Sequence, residues 1–257
     1  MSFLVLSAAL VSTLLTGAAT WYARRRDLFD HPGERRSHTE PTPRGGGAGW
    51  VLAFLIFLGA YLLLSKTVPS TFPAVLAAGT ATLALLGWWD DHHDLDFRIR
   101  AGVQSVVSLL SVSVLAAAGV ISGWAPAFAA FVFIAWMVNL YNFMDGSNGL
   151  AGFQGLFVSL ALAALFAGSG DWTGATIALV LTGCCAGFLP WNLGRARVFM
   201  GDVGSLALGF IVATLLVYGT GTDAFALPVA LMITALFLVD ATLTLAVRIL
   251  RGERWYN

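Results

Sequence analysis

The sequence predicts an all-α polytopic membrane protein: one transmembrane domain over residues 1–257, built as a bundle of about nine helices. Three observations carry this. Hydrophobic residues make up 58% of the 257 and charged residues only 11%, with a mean hydropathy of +0.81, whereas an average globular chain is roughly 25% charged. Apolar runs recur at close to the ~20 residues that a bilayer-crossing helix needs. The charged and polar residues gather in the connections at one end of those runs.

The first run, 2–22, has no Lys or Arg before it and Arg24, Arg25 and Arg26 after it. That is the reverse of a secretory signal peptide, so it reads as a retained helix with its N-terminus outside. The connection 23–44 carries Pro32, Pro41 and Pro43 among Gly and polar residues and reads as an irregular loop. Runs 45–64 and 73–89 follow, the second ending in Trp88 and Trp89, aromatic residues suited to the headgroup level. Further spans are expected at 101–120, 125–141, 152–168, 172–190, 204–219 and 225–247. Cys184 and Cys185 are adjacent within the seventh run, poorly placed to bridge each other, and read as small buried side chains.

Alternating nine spans from an outside start puts 23–44, 90–100, 142–151, 191–203 and the tail from Arg248 on the cytoplasmic side. Of the 14 Lys and Arg, every arginine falls in these segments and only Lys66 falls on the other face, as the positive-inside rule requires. His31, His38, His92 and His93 share that face. Cationic anchoring explains the arginines. It does not explain the Asp and Asn clusters beside them.

In WWDDHHDLDFRIR, Asp90 and Asp91 are adjacent carboxylates that can hold a hard cation or accept a proton; the simpler reading is a solvated helix end. In NLYNFMDGSNGLAG, Asn139, Asn142 and Asp145 are spaced by three and would share one face of a continued helix, with Asn148 extending the row. Amide oxygens and a carboxylate suit Mg²⁺; helix-pairing hydrogen bonds are the simpler reading. In RARVFMGDVGSLALG, Asp202 opens a helix whose free N–H groups form a ready anion site; an N-cap role for Asp202 or Ser205 competes. The cations of DHPGERRSHTEPTPRGGGAGW suit anionic headgroups or a phosphorylated substrate.

Taken together and in order, RSHTEPTPRGGG, DDHHDLDFRIR, NLYNFMDGSNGLAG and RVFMGDVGS resemble the motifs of the polyprenyl-phosphate N-acetylhexosamine-1-phosphate transferase family, which includes the enzyme making the first lipid intermediate of peptidoglycan. The likeness covers essentially the whole chain and is closest to the bacterial branch that initiates O-antigen or capsule chains. It implies a Mg²⁺-dependent reaction, with Mn²⁺ as the alternative ion, at the cytoplasmic face of the inner membrane. Sugar-1-phosphate passes from a UDP-N-acetylhexosamine to undecaprenyl phosphate, and UMP leaves.

By motif position, the resemblance makes Asp202 the metal-binding Asp and Asn142 a metal or diphosphate contact. Asp90 and Asp91 match the acidic pair, with Asp90 deprotonating or orienting the lipid phosphate. Asn139, Asp145 and Asn148 match the nucleotide and diphosphate pocket, Asp145 counting with the pair as catalytic. Asn148 stands where the family's DGxDG pattern has its second Asp. His38, Arg44, Arg195 and Arg197 are expected to hold substrate. Asp240, inside the last apolar run, is expected to line the cytoplasmic half of the site, since intramembrane ionisable groups normally face a polar interior; helix pairing is the alternative. RILRGERWYN resembles the approach to a His- and Arg-containing loop and further helices, so the chain is expected to be C-terminally short. Expected partners are the two substrates, the lipid bilayer and a second copy in a homodimer, with no nucleic acid. A transporter or lipid carrier, and an inactive remnant of the transferase, are the competing expectations.

Overall fold

In the computed structural model, which describes residues 1–30, 40–65 and 71–252, the apolar runs form α1 (Ser2–Arg25), α2 (Gly47–Leu64), α3 (Thr71–His93), α4 (Phe97–Ala117), α5 (Trp124–Met144), α6 (Leu150–Ser169), α7 (Trp172–Asn192), α8 (Gly201–Gly221) and α9 (Leu227–Leu250). Among the described residues these nine helices are all long and apolar enough to cross a membrane, and the fold is the expected all-α polytopic bundle. The main difference lies at the polar ends. Helix α3 continues through 90–93, so Asp90 and Asp91 sit in its last turn rather than in the loop beyond.

Hydropathy did not foresee a short antiparallel pair, β1 (Phe29–Asp30) with β2 (Thr42–Pro43), in which Phe29 faces Pro43 and Asp30 faces Thr42. It gathers the first connector into a defined hairpin base. From there the chain docks on the segment before α8: Phe199 N–H donates to the Pro43 carbonyl at 2.8 Å, and Gly46 and Gly47 donate to Phe199 and Met200 at 2.9 and 2.8 Å.

Lipid tails are as apolar as Leu, so these helices gain little from the hydrophobic effect on meeting and associate by close packing and interhelical hydrogen bonds. Helix α8 is apolar all round and buried along nearly its whole length, the signature of a central helix; it packs on α2, α3, α5 and α6. On one flank α1 lies against α7, with Ser12 and Thr13 hydroxyls donating to the Cys184 and Gly187 carbonyls at 2.7 and 2.9 Å. Cys184 and Cys185 are free thiols buried in α7, as read from the sequence.

The close approach that matters for the site is between α3 and the start of α8. A Cβ on Gly87 would overlap the Asp202 and Val203 main chain, and one on Gly47 would stand 2.5 Å from the Gly204 Cα. Gly87→Ala must therefore push α3 away from α8 one turn before the acidic pair. Overpacking of this kind costs about 1–3 kcal/mol, so thermal unfolding of the purified variant in detergent is expected to fall by that amount. An unchanged transition would show that the two helices can part freely.

Candidate active site

Four elements bring polar side chains to one end of the bundle: the last turn of α3, the first turn of α4, the end of α5 and the start of α8. Asp91, 4% exposed, accepts the Asp202 N–H on Oδ1 at 3.1 Å and the Val203 N–H on Oδ2 at 3.2 Å. It thus caps α8 from another helix. Gly201, with φ +72°, leaves room: a Cβ there would stand 2.7 Å from Asp91 Oδ2. This corrects the expectation of an open anion site at the α8 N-terminus, because the anion on its first amides is the protein's own carboxylate.

Asp90, 6% exposed, accepts the Leu95 N–H on Oδ1 at 2.7 Å and Arg100 Nη1 on Oδ2 at 2.6 Å. The same Arg100 nitrogen reaches Asp202 Oδ2 at 3.2 Å, so the two carboxylates share one guanidinium nitrogen. Asn142 Nδ2 donates to Asp202 Oδ1 at 2.8 Å and to Ser205 Oγ at 3.0 Å. Asp90, Asn142 and Asp202 therefore converge from three helices, as the motifs required.

The donor set fits a hard divalent cation. Two neighbouring carboxylates repel unless a proton or a cation lies between them, a place that the Arg100 guanidinium takes here and that a divalent ion could take instead. Among the described residues no three of His, Cys, Asp and Glu close around one point. The Asp90 and Asp202 carboxylates suit Mg²⁺, an ion that keeps waters and substrate phosphates as its remaining ligands; Asn142, expected as a metal ligand, instead turns its NH₂ to Asp202 and Ser205 and braces the acid.

Two cavities meet at this cluster. A polar cleft of about 290 Å³ is lined by Arg44, Asp91, Asn142, Phe143, Asp145 and Asp202 among others. A groove of about 470 Å³ runs between α4, α5 and α9, walled by Phe97, Ala101, Trp136, Leu140, Phe143, Ala241 and Leu245, with Arg100, Asn139 and Asn142 as its polar lining. Asn142 and Phe143 line both.

Several expected site residues stand elsewhere. Helix α5 stops at Met144 and Asp145 is its C-cap, so the row spaced by three breaks. Asn139 donates to the Ala135 carbonyl at 2.8 Å and lines the groove instead of the polar cleft. Asn148 donates to the Gly194 carbonyl at 2.8 Å and ties two connectors together. Arg195 is exposed and paired with Glu40; Arg197 is exposed and lies over the Trp191 ring, 5.9 Å from its centroid. Neither lines the cleft or the groove. Asp240 is exposed as well: α9 buries the stripe Ala230, Thr234, Phe237 and Ala241, Asp240 falls on its flank, and Ala241 does the lining. Arg44 lies in the polar cleft, 3.8 Å from Asp94. His38 is outside the described residues.

Two residues that serve the site, Asn192 and Arg100, were not singled out from the sequence, and Ser205 was read there only as an N-cap. Asn192, 2% exposed, accepts the Gly149 N–H at 2.8 Å and donates to the Val198 carbonyl at 3.0 Å, locking the two connectors that flank the cleft. Ser205 takes the second Asn142 hydrogen. Arg100 had a readable signal: Asp96 caps α4, so Arg100 sits in the first turn, where the helix dipole disfavours a cation and a carboxylate partner is needed.

Burial pushes the Asp145 carboxyl well above the usual carboxylate range, and the Asp202 and Asp91 charges push it further, against one N–H from Gly201. Below that range folded and unfolded chains both hold the proton; above it the unfolded chain sheds it freely while the folded chain resists, so the wild type loses stability as pH rises. Asp145→Asn is thus expected to raise the melting temperature of the metal-free protein by an amount that grows with pH above the carboxylate range and vanishes below it. A gain that is flat with pH would contradict this environment.

Comparison with known proteins agrees with this geometry. The sequence model of glycosyl transferase family 4 matches residues 73–220, the stretch holding Asp90, Arg100, Asn142 and Asp202. The chain is 33% identical to the decaprenyl-phosphate N-acetylglucosaminephosphotransferase of Mycobacterium leprae, over 98% of this chain and 73% of that protein. It is 31% identical to the undecaprenyl-phosphate alpha-N-acetylglucosaminyl 1-phosphate transferase of Thermotoga maritima, over 80% and 62%. With the phospho-N-acetylmuramoyl-pentapeptide-transferase of Thermosynechococcus vestitus it shares 34% identity over 80% and 58%. A multi-pass helix bundle, the described parts of the motifs converging at one end of it, and these relatives together place the chain in glycosyl transferase family 4, among the polyprenyl-phosphate N-acetylhexosamine-1-phosphate transferases.

Proposed function

We propose that this protein transfers N-acetylhexosamine-1-phosphate from a UDP-sugar to undecaprenyl phosphate at the cytoplasmic face of the bacterial inner membrane, releasing UMP and initiating a lipid-linked surface polysaccharide. The observation that carries this is the junction of an apolar groove with a polar, carboxylate-lined cleft at Asn142 and Phe143. The first suits the isoprene units nearest the phosphate of a prenyl acceptor and the second a nucleotide diphosphate. The names of the relatives support the acceptor class and the transferred group. The gathering of the arginines at the same end supports the cytoplasmic orientation.

The chemistry follows from charge. Two phosphate-bearing substrates must approach each other, and phosphoryl transfer depends mainly on positioning and charge stabilisation. Asp202 and Asp90 would hold Mg²⁺, with Mn²⁺ as substitute and Asn142 bracing Asp202, and the bound ion would supply neutralisation of the diphosphate and of the developing leaving-group charge. Arg44 offers a second cation in the cleft. Asp90 orients the lipid phosphate, whose oxygen forms a bond to the sugar-bearing phosphorus as the bond from that phosphorus to the UMP oxygen breaks. Asp91 positions Asp202 through the backbone of α8. Trp136 Nε1–H donates to Thr242 Oγ1 at 3.3 Å and holds α9 against α5 beside the groove.

Purified chain incubated with radiolabelled UDP-N-acetylglucosamine, undecaprenyl phosphate and Mg²⁺ is expected to yield lipid-linked product and UMP, with EDTA abolishing both. Asp202→Asn and Asp90→Asn are each expected to lower turnover about a hundredfold or more, the scale of losing one preorganised electrostatic group. Uptake of the UDP-sugar into vesicles with no product would favour the carrier instead, and a panel of donors identifies the hexosamine.

A further inference from the structure

The Asp90–Arg100–Asp202 triad holds an arrangement that the transfer reaction does not by itself require. Each carboxylate has one oxygen committed elsewhere: Asp90 Oδ1 to the Leu95 N–H and Asp202 Oδ1 to the Asn142 amide. The remaining oxygen of each, Oδ2, goes to one and the same nitrogen, Arg100 Nη1. Those two Oδ2 atoms, which share one partner and have no other hydrogen bond among those described, are the ones best placed for a divalent cation bridging the pair. Arg100 and the ion therefore compete for one position.

We propose that Arg100 is an exchangeable counter-cation: it holds Asp90 and Asp202 together when no divalent ion is bound, yields them to the ion, and turns into the adjoining groove to take the phosphate of the polyprenyl substrate. This rests on the metal-dependent transferase reading above. The destination is present already. Arg100 lines the groove as well as touching the carboxylates, and among the described lining residues it is the one cation there. The move is a rotation of a partly exposed side chain, 33% accessible, and not a displacement of backbone. Its seat in the first turn of α4 gives no support to its charge from that helix's own dipole, so its position is set by which anion faces it. Charge bookkeeping agrees: a divalent ion neutralises the two carboxylates that Arg100 only half neutralises, and releases one positive charge for an arriving phosphate. By linkage the coupling is reciprocal, so metal raises the affinity for lipid phosphate and lipid phosphate raises the affinity for metal.

The test measures Mn²⁺ binding by loss of the free-ion paramagnetic resonance signal, on the full chain in lipid nanodiscs without sugar donor, with and without undecaprenyl phosphate. Arg100→Met is expected to bind Mn²⁺ about tenfold more tightly than wild type when no lipid phosphate is present, within the usual range of coupling between sites. Undecaprenyl phosphate is expected to tighten Mn²⁺ binding several-fold in wild type and not in Arg100→Met. Arg100→Lys keeps the charge but not the fork, and is expected to bind Mn²⁺ more tightly than wild type too, which preserves the test should the Met variant fail to fold. Equal or weaker Mn²⁺ affinity in the folded variants, or the same lipid effect with and without Arg100, overturns the exchange. If wild type binds Mn²⁺ and makes lipid-linked product while the variants show no tightening, the exchange alone is wrong. If wild type neither binds Mn²⁺ nor makes product, the underlying reading of the site fails and the exchange fails with it.

Discussion

The contact between the Asp91 carboxylate and the first amides of α8 is what the rest of the site depends on. A carboxylate this deeply buried costs several kcal/mol unless its lone pairs are satisfied. Here each oxygen accepts one backbone N–H, at 3.1 and 3.2 Å, and the positive end of the α8 dipole adds to both. Hydrogen bonds to a charged group are worth about 1.5–3 kcal/mol each. The contact is possible because Gly87 and Gly201 present no Cβ where the two backbones meet. Once the end of α3 is pinned to the start of α8, Asp90 has to face Asp202, and Asn142 and Arg100 close the cluster from two further helices.

The fold was legible because lipid imposes a single length on every span, and a run of apolar residues reports it directly. The β1–β2 pair was not, since strands of two residues carry no periodicity. The site was legible where a carboxylate or amide interrupts an apolar run: Asp90, Asp91, Asn142, Asp145 and Asp202 all reach the cluster or the cleft. The readings that missed assumed one helical row through Asn148, and α5 ends four residues before it. Asp240 shows the converse difficulty. Hydropathy places a residue at a depth in the bilayer but does not say which way round the helix it faces, and α9 touches the bundle along one narrow stripe.

Arg100 and Asn192 eluded the motif reading for related reasons. Each acts on partners distant in the chain, Arg100 on Asp202 and Asn192 on Gly149, and such pairings exist only once the helices have crossed. Asn192 uses its amide oxygen and nitrogen on two different connectors, so one buried side chain holds the loops around the cleft in register while leaving the cleft wall itself to other residues.

The groove between α4, α5 and α9 has a volume suited to a drug-sized molecule, far less than a whole polyprenyl chain occupies. If the groove takes the proposed acceptor, it would enclose only the isoprene units nearest the phosphate, and the remainder would trail among the surrounding lipids. On that reading the protein would measure the head of its acceptor and be blind to how far the tail extends. Relatives named for decaprenyl and for undecaprenyl carriers both resemble this chain to a similar degree, which is the pattern expected when tail length leaves no mark on the residues that do the recognising.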